Sequence, residues 1–210
     1  PTNTTITTAA KVTGRLARGL SIGALAAVTP REFARTYSLA GDSIGRVAVE
    51  PPGRFAVLRL QQEFGRQQSN VGASFTTVNR SLDARGGLES LLPRDAIAGG
   101  VDWKLRYQQG MYEVTGWLGG SLVSGNAASI ARLQRNSAHF FQRPDQDYVH
   151  FDSLRTSLSG ATASIRLDKN AGRFTLGGIQ LSTRTPGFEI NDAGQMRSGD
   201  DIDFNADIQL

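Results

Sequence analysis

The sequence predicts an all-β fold: an antiparallel up-and-down meander of about ten strands, laid out as a whole or partial transmembrane-type β-barrel, with one short helical excursion near residues 128–141. Three observations lead there. Apolar and polar residues alternate with period two over long stretches, short glycine- or amide-bearing links join several of those stretches, and two long polar excursions interrupt them.

The alternation is clearest in Val101-Asp102-Trp103-Lys104-Leu105-Arg106-Tyr107-Gln108, where every odd position is apolar and every even one polar. It recurs in Ala161-Thr162-Ala163-Ser164-Ile165-Arg166-Leu167-Asp168 and from Ile202 to Leu210. Wound as helices, these segments would scatter apolar groups around the whole circumference. As strands they separate one apolar from one polar face. Further strands are predicted over 11–18, 20–29, 44–50, 55–64, 70–80, 111–122 and 173–183, with residues 1–10 as an N-terminal extension to a single domain over 1–210. The links Gln108-Gln109-Gly110 and Lys169-Asn170-Ala171-Gly172 read as hairpin turns. Between Leu176 and Ile179 the apolar phase changes across Gly177-Gly178, which predicts a bulge. In the excursion over 123–156, Ile130, Leu133 and Phe140 or Phe141 line a helical face before Arg143-Pro144 ends it; the second excursion, 184–199, is rich in turn residues.

Composition narrows the function classes. Cysteine is absent, which removes disulfides, thiolate metal sites and cysteine nucleophiles. Two histidines, His139 and His150, leave little material for an imidazole metal site. The net charge of +4 is spread along the chain rather than gathered in a stripe, which speaks against nucleic acid as a partner. No apolar run is long enough for a transmembrane helix, and the opening Pro1-Thr2-Asn3-Thr4-Thr5 has no signal-peptide pattern, so a leader would lie upstream or have been removed. Charged residues within strands (Asp102, Lys104, Arg106, Arg166, Asp168) suit a water-filled lumen, and strands of about 9–12 residues suit a tilted bilayer crossing.

Chemistry-bearing motifs are few. Gly41-Asp42-Ser43-Ile44-Gly45 matches the G-x-S-x-G nucleophile elbow, but a strand pattern follows where the elbow needs a helix, so it reads as a loop. Asp200, Asp201, Asp203, Asn205 and Asp207 offer oxygen ligands of the kind Ca²⁺ takes, but in strict alternation without a folding glycine; a strand face pairing with arginines is the simpler account. His139 and His150 flank Phe140, Phe141, Tyr148 and Phe151, an excursion packing its own aromatics. Trp103 and Trp117 are expected in the lipid-facing or interfacial set. No catalytic, cofactor-binding or metal-ligating residue is assigned, and the chain is not expected to be an enzyme.

Several segments, in order, carry a resemblance: Val49-Glu50-Pro51, Arg59-Leu60-Gln61 with Phe64, Thr77-Val78-Asn79-Arg80 and Gly100-Val101-Asp102-Trp103. Next come Leu133-Gln134-Arg135-Asn136-Ser137, Phe141-Gln142-Arg143-Pro144-Asp145, Thr156-Ser157-Leu158-Ser159-Gly160, and Pro186-Gly187-Phe188-Glu189-Ile190-Asn191-Asp192-Ala193-Gly194. Together they resemble a bacterial family in which a carbohydrate-binding-module-like domain precedes an outer-membrane β-barrel of undefined function. The resemblance implies an outer-membrane location, a barrel and glycan handling. The resemblance covers no carbohydrate-binding-like domain and ends at Leu210, so under it the chain is expected to correspond to the early part of such a barrel. The expected partners are outer-membrane lipid, further copies of the chain through edge strands, and glycans. The expected role is a non-enzymatic channel, receptor or structural segment. Its alternatives are an extracellular ring, tube or filament assembled through open strand edges, and a glycan-binding module.

Overall fold

The computed structural model describes residues 4–83, 87–192 and 194–210, with the side chain of Ser43 also outside that set. The described residues form eleven strands and one α-helix. These are β1 (Thr8–Arg15), β2 (Leu20–Thr29), β3 (Glu32–Tyr37), β4 (Ser43–Glu50), β5 (Gly53–Phe64), β6 (Ser69–Arg80), β7 (Asp95–Tyr107), β8 (Tyr112–Ser124), α1 (Ala127–Arg135), β9 (Ser157–Lys169), β10 (Leu176–Arg184) and β11 (Asp201–Gln209). Nine of the strands make one sheet in the order β1-β2-β5-β6-β7-β8-β9-β10-β11, every pair antiparallel. The expected meander is therefore present. It does not close: β1 and β11 are its two edges.

Several expectations are corrected. The 44–50 strand leaves the meander and pairs with β3, a strand the alternation had not revealed, in a separate hairpin where Arg46 lies 4.9 Å over the Phe33 ring. Residues 8–10 belong to β1 rather than to an extension, because Thr8, Ala9 and Ala10 pair with Val28, Ala27 and Ala26. β7 begins at Asp95, six residues before the visible alternation. No bulge lies at Gly177-Gly178: both ladders of β10 run through it without a shift, and residues 173–175 precede the strand, so the parity of Phe174 belongs to the turn. The helix ends at Arg135 rather than near 141. Asn136 leaves helical geometry (ψ 155), accepts the Ala138 N–H on its side chain, and accepts His139 and Phe140 N–H groups on its carbonyl. At the other end the Asn126 side chain accepts the Ser129 N–H at 2.9 Å, a helix N-cap.

The ends of the sheet differ. Short turns at 16–19, 65–68, 108–111 and 170–175 cluster at one end. The β3–β4 hairpin, the 81–94 link and the excursions 125–156 and 185–200 all leave from the other. At 108–110 the chain reverses through three consecutive left-handed residues, Gln108, Gln109 and Gly110, a reversal that matches strand twist at the cost of two strained glutamines.

Packing concentrates at the long-loop end. Val78, Ala96, Val123 and Leu158 from the sheet enclose Ile130 of α1 and Phe141, and Ala138, Phe188 and Met196 form a second cluster. Both excursions thus fold back across one face of the sheet. Gln134, fully buried, clamps the excursion by donating to the Asp152 carbonyl and accepting the Asp152 N–H, both at 2.8 Å.

Candidate functional site

In an antiparallel ladder, directly paired residues share a face, so the registers assign every strand residue to one of two surfaces. The first is apolar across all nine strands. A central row runs Val12, Ala24, Leu58, Phe75, Gly99, Gly120, Ala161. Another runs Ala73, Val101, Leu118, Ala163, Thr183, Ile202. A third runs Val71, Trp103, Gly116, Ile165, Leu181, Phe204. Charges enter only at the rims, as Arg54 and Asp95 at the long-loop end and Lys169 at the short-turn end. Many of these side chains are about half exposed, including Leu118 (54%), Ile165 (51%), Ile179 (53%) and Leu181 (50%). Among the described residues, none of the excursions packs against this face.

The opposite face is a lattice of ion pairs, some within a strand, some between neighbouring strands and some reaching across an intervening one. Arg59 of β5 meets Asp102 of β7 at 2.5 Å, passing over Gly72 of β6, where a Cβ would collide with both side chains. Lys104 and Arg106 converge on Glu113 at 3.4 and 2.9 Å. Arg166 bridges Asp168 and Asp207, and Arg184 meets Asp201 and Asp203. Polar side chains on this face alternate with apolar ones on the other over strands of up to 13 residues.

At the long-loop end of the polar face lies a buried pair. His139 Nδ1 is 2.8 Å from the Pro186 carbonyl and Nε2 is 2.8 Å from Glu189 Oε2, with both side chains buried. The Glu189 backbone N–H donates to Ser121 Oγ on β8, and its other carboxylate oxygen accepts the Asn191 N–H. Burial alone would push the Glu189 carboxyl up, but the hydrogen bonds from His139 and Asn191 hold it below the ordinary glutamate value. Nearby, Arg80 and Asp192 form a second buried bridge at 2.5 Å. Arg143, Gln146 and Tyr148 all donate to Asp200, which raises the Tyr148 phenol above its usual value. These contacts tie the excursions to the sheet and to each other.

One family model matches the chain from residue 1 to residue 210. The chain belongs to the family described as Domain of unknown function (DUF5916). No curated protein and no solved structure matches it. The family assigns neither a role nor a location, so the geometry of this DUF5916 chain carries the functional argument.

The residues that the sequence singled out fall as follows in the DUF5916 fold. Gly41–Gly45 forms the turn and first residues of the β3–β4 hairpin, strand–turn–strand rather than the strand–turn–helix of an elbow. The Ser43 side chain lies outside the described residues. Asp201, Asp203 and Asp207 stand on the polar face of β11 against Arg184 and Arg166, the arginine pairing the alternation suggested. Among the described residues no group of three or more His, Asp or Glu is placed to hold a metal ion. His139 and His150 separate, the first buried and the second exposed, while Phe141 and Phe151 join the core.

The two tryptophans of the DUF5916 chain part company, against expectation. Trp103 lies on the apolar face, paired with Gly116, but Trp117 pairs with Asp102 and stands on the polar face. The physical reason is parity. Glu113 and Thr115 precede Trp117 at spacings of two, and the buried Ser121 and Val123 follow it, all on the side toward the excursions. The His139–Glu189 pair was missed, since its partners are fifty residues apart and share no local pattern.

Proposed function

We propose that this chain is a segment of an outer-membrane β-barrel, non-enzymatic and of channel or receptor type. Its apolar face meets lipid, and its polar face lines a lumen narrowed at one end by the two folded excursions. One observation carries the reading: an unpartnered apolar face, uncharged between its rims. Nine strands spaced ~4.8 Å apart and a band ~25 Å tall give it an area on the order of 1,000 Å². Soluble monomers rarely expose contiguous apolar patches above roughly 300–600 Å². The inward ion pairs, the short turns at one end and the long loops at the other suit the same architecture. No helix of the described residues is long and apolar enough to cross a membrane, and strands would do so instead.

The experiment uses the cysteine-free background. A single Cys at Val101, Leu118, Ile165 or Ile179, or at Thr115, Gln180 or Ser182, is labelled with an environment-sensitive dye after insertion into phospholipid vesicles. Quenching by spin-labelled lipid is expected at the first group only. Equal quenching of both groups, or of neither, would overturn the membrane assignment.

A second reading, assembly of copies through strand edges, is favoured by two exposed edges of opposite charge. Lys11 and Arg15 lie on the polar face of β1, and Asp203 and Asp207 on that of β11. Because seven strands lie between them in an all-antiparallel sheet, β1 and β11 run in the same direction, so a neighbour's β1 would meet β11 as a parallel pair. Electron microscopy without detergent tests it: rings or tubes that shorten at high salt support assembly, and discrete single-chain particles remove it.

A further inference from the structure

Among the described aromatic residues of the nine-stranded sheet, Phe64, Phe75, Trp103, Tyr107, Tyr112 and Phe204 occupy the apolar face, and Phe55 packs into the core beneath the excursions. Trp117 alone stands on the polar face outside that core, and it is 46% exposed. An indole held there keeps apolar ring surface in water, which a ligand with an apolar flank would cover, while its N–H stays available to a polar group.

The space around it is shaped in two parts. On the side of the excursions, a recess of about 290 Å³ lies over Ser74, Thr76, Gly100 and Gly119, roofed by Phe188 and Ile190. Its floor is open because Gly100 and Gly119 pair directly and carry no side chain. On the short-turn side a second recess of about 300 Å³ is lined by Asp102, Lys104, Thr115, Ser164, Arg166 and Gln180. Trp117 lines both.

The charges beside this groove cancel. Arg59, Lys104, Arg106 and Arg166 are matched by Asp102, Glu113, Asp168 and Asp207, joined in the cross-strand pairs described above. Four cations stand beside four carboxylates, so an anionic ligand such as a nucleotide would find no net positive charge. A neutral ligand rich in hydroxyls, each both donor and acceptor, would find both kinds of partner side by side. A pyranose ring adds the remaining requirement, an apolar C–H flank that lies flat on an indole.

We propose that Trp117 divides a two-subsite groove on the polar face that binds a neutral oligosaccharide, one sugar ring in each recess and the chain stacked on the indole between them. The groove lies on the polar face whatever covers the apolar one, so its failure and that of the membrane reading are separately visible.

The test uses the full chain in a zwitterionic detergent without a sugar headgroup. W103F leaves Trp117 as the sole tryptophan. Its emission is titrated with neutral hexasaccharides of β-1,4-glucose, α-1,4-glucose, β-1,4-xylose, β-1,4-mannose and β-1,4-N-acetylglucosamine. Acidic hexagalacturonate and an apolar hexapeptide serve as comparisons. A saturable emission change with at least one neutral sugar is expected, with affinity rising at least tenfold from monosaccharide to disaccharide and little thereafter. By calorimetry, W117F should weaken binding at least tenfold. Gly119→Val, which fills the upper recess without touching the indole ring, should weaken it comparably, and keeps the test valid if W117F does not fold. Any of three results overturns the proposal: no saturable change with any of the five neutral sugars, undiminished binding in these variants, or preference for the acidic hexamer or the peptide.

Discussion

Leu118 offers a sharp test of what the apolar face meets. It stands at the centre of the 13-residue strand Tyr112–Ser124, so roughly 20 Å of strand separates it from either end at ~3.3 Å per residue. At the ~45° tilt of a membrane strand, that is about 14 Å along the bilayer normal, close to half the thickness of the hydrocarbon band. Leu118→Arg therefore places a guanidinium at the midplane, where the cost is about 2–4 kcal/mol. Thr115→Arg, three residues away on the polar face, should cost under about 1 kcal/mol, because that face is hydrated and charged. Denaturant unfolding of both variants in phospholipid vesicles, followed by the β-sheet circular dichroism signal, measures the difference. If Leu118→Arg costs no more than Thr115→Arg, the apolar face is not in lipid.

Two further predictions concern the folded excursions. Because the Glu189 carboxyl is held below its ordinary value, the His139–Glu189 pair contributes stability that is complete above the unfolded glutamate value of about 4.3 and fades as pH falls through the lower folded value. Hydrogen exchange of the 187–191 amides should accelerate below about pH 4, and Glu189→Gln should shift or remove that acid step; an identical acid response in the variant counts against the assignment. A Cβ at Gly160 would run into the Phe188 backbone, so Gly160→Val should lift the 185–200 excursion. The Glu189 amide, bonded to Ser121 Oγ, should lose protection while the amides of β5–β8 keep theirs.

Parity made much of the fold readable. Where Val101 to Tyr107 or Ile202 to Ile208 alternate, each residue's face follows from its number alone. The reading failed where most side chains are too small to mark a phase, as in Ala96-Ile97-Ala98-Gly99-Gly100, five of the 13 residues of β7. In β3 the exposed Phe33, Arg35 and Tyr37 share one face, so apolar and polar residues do not alternate there and the strand leaves no period-two signal. Trp117 was legible too: its odd number groups it with Glu113 and Thr115, and only the habit of assigning aromatics to lipid placed it on the wrong side. The early end of α1 turns on how Asn136 hydrogen-bonds, and the buried His139–Glu189 contact joins residues far apart in the chain. Neither leaves a periodic trace.

The meander also sets an order of assembly. Each strand of the sheet pairs with its neighbour in the chain, the single skip being β2 to β5 past the β3–β4 hairpin, so contacts form over short loops and the ladder can grow one hairpin at a time. The core beneath the excursions is different in kind. Ile130 and Phe141 need Val78, Ala96, Val123 and Leu158 from four successive strands before they have anything to pack on. That cluster therefore consolidates only once β9 is in place, and until then the polar face stands uncovered, with the apolar side chains of 130–151 still in water.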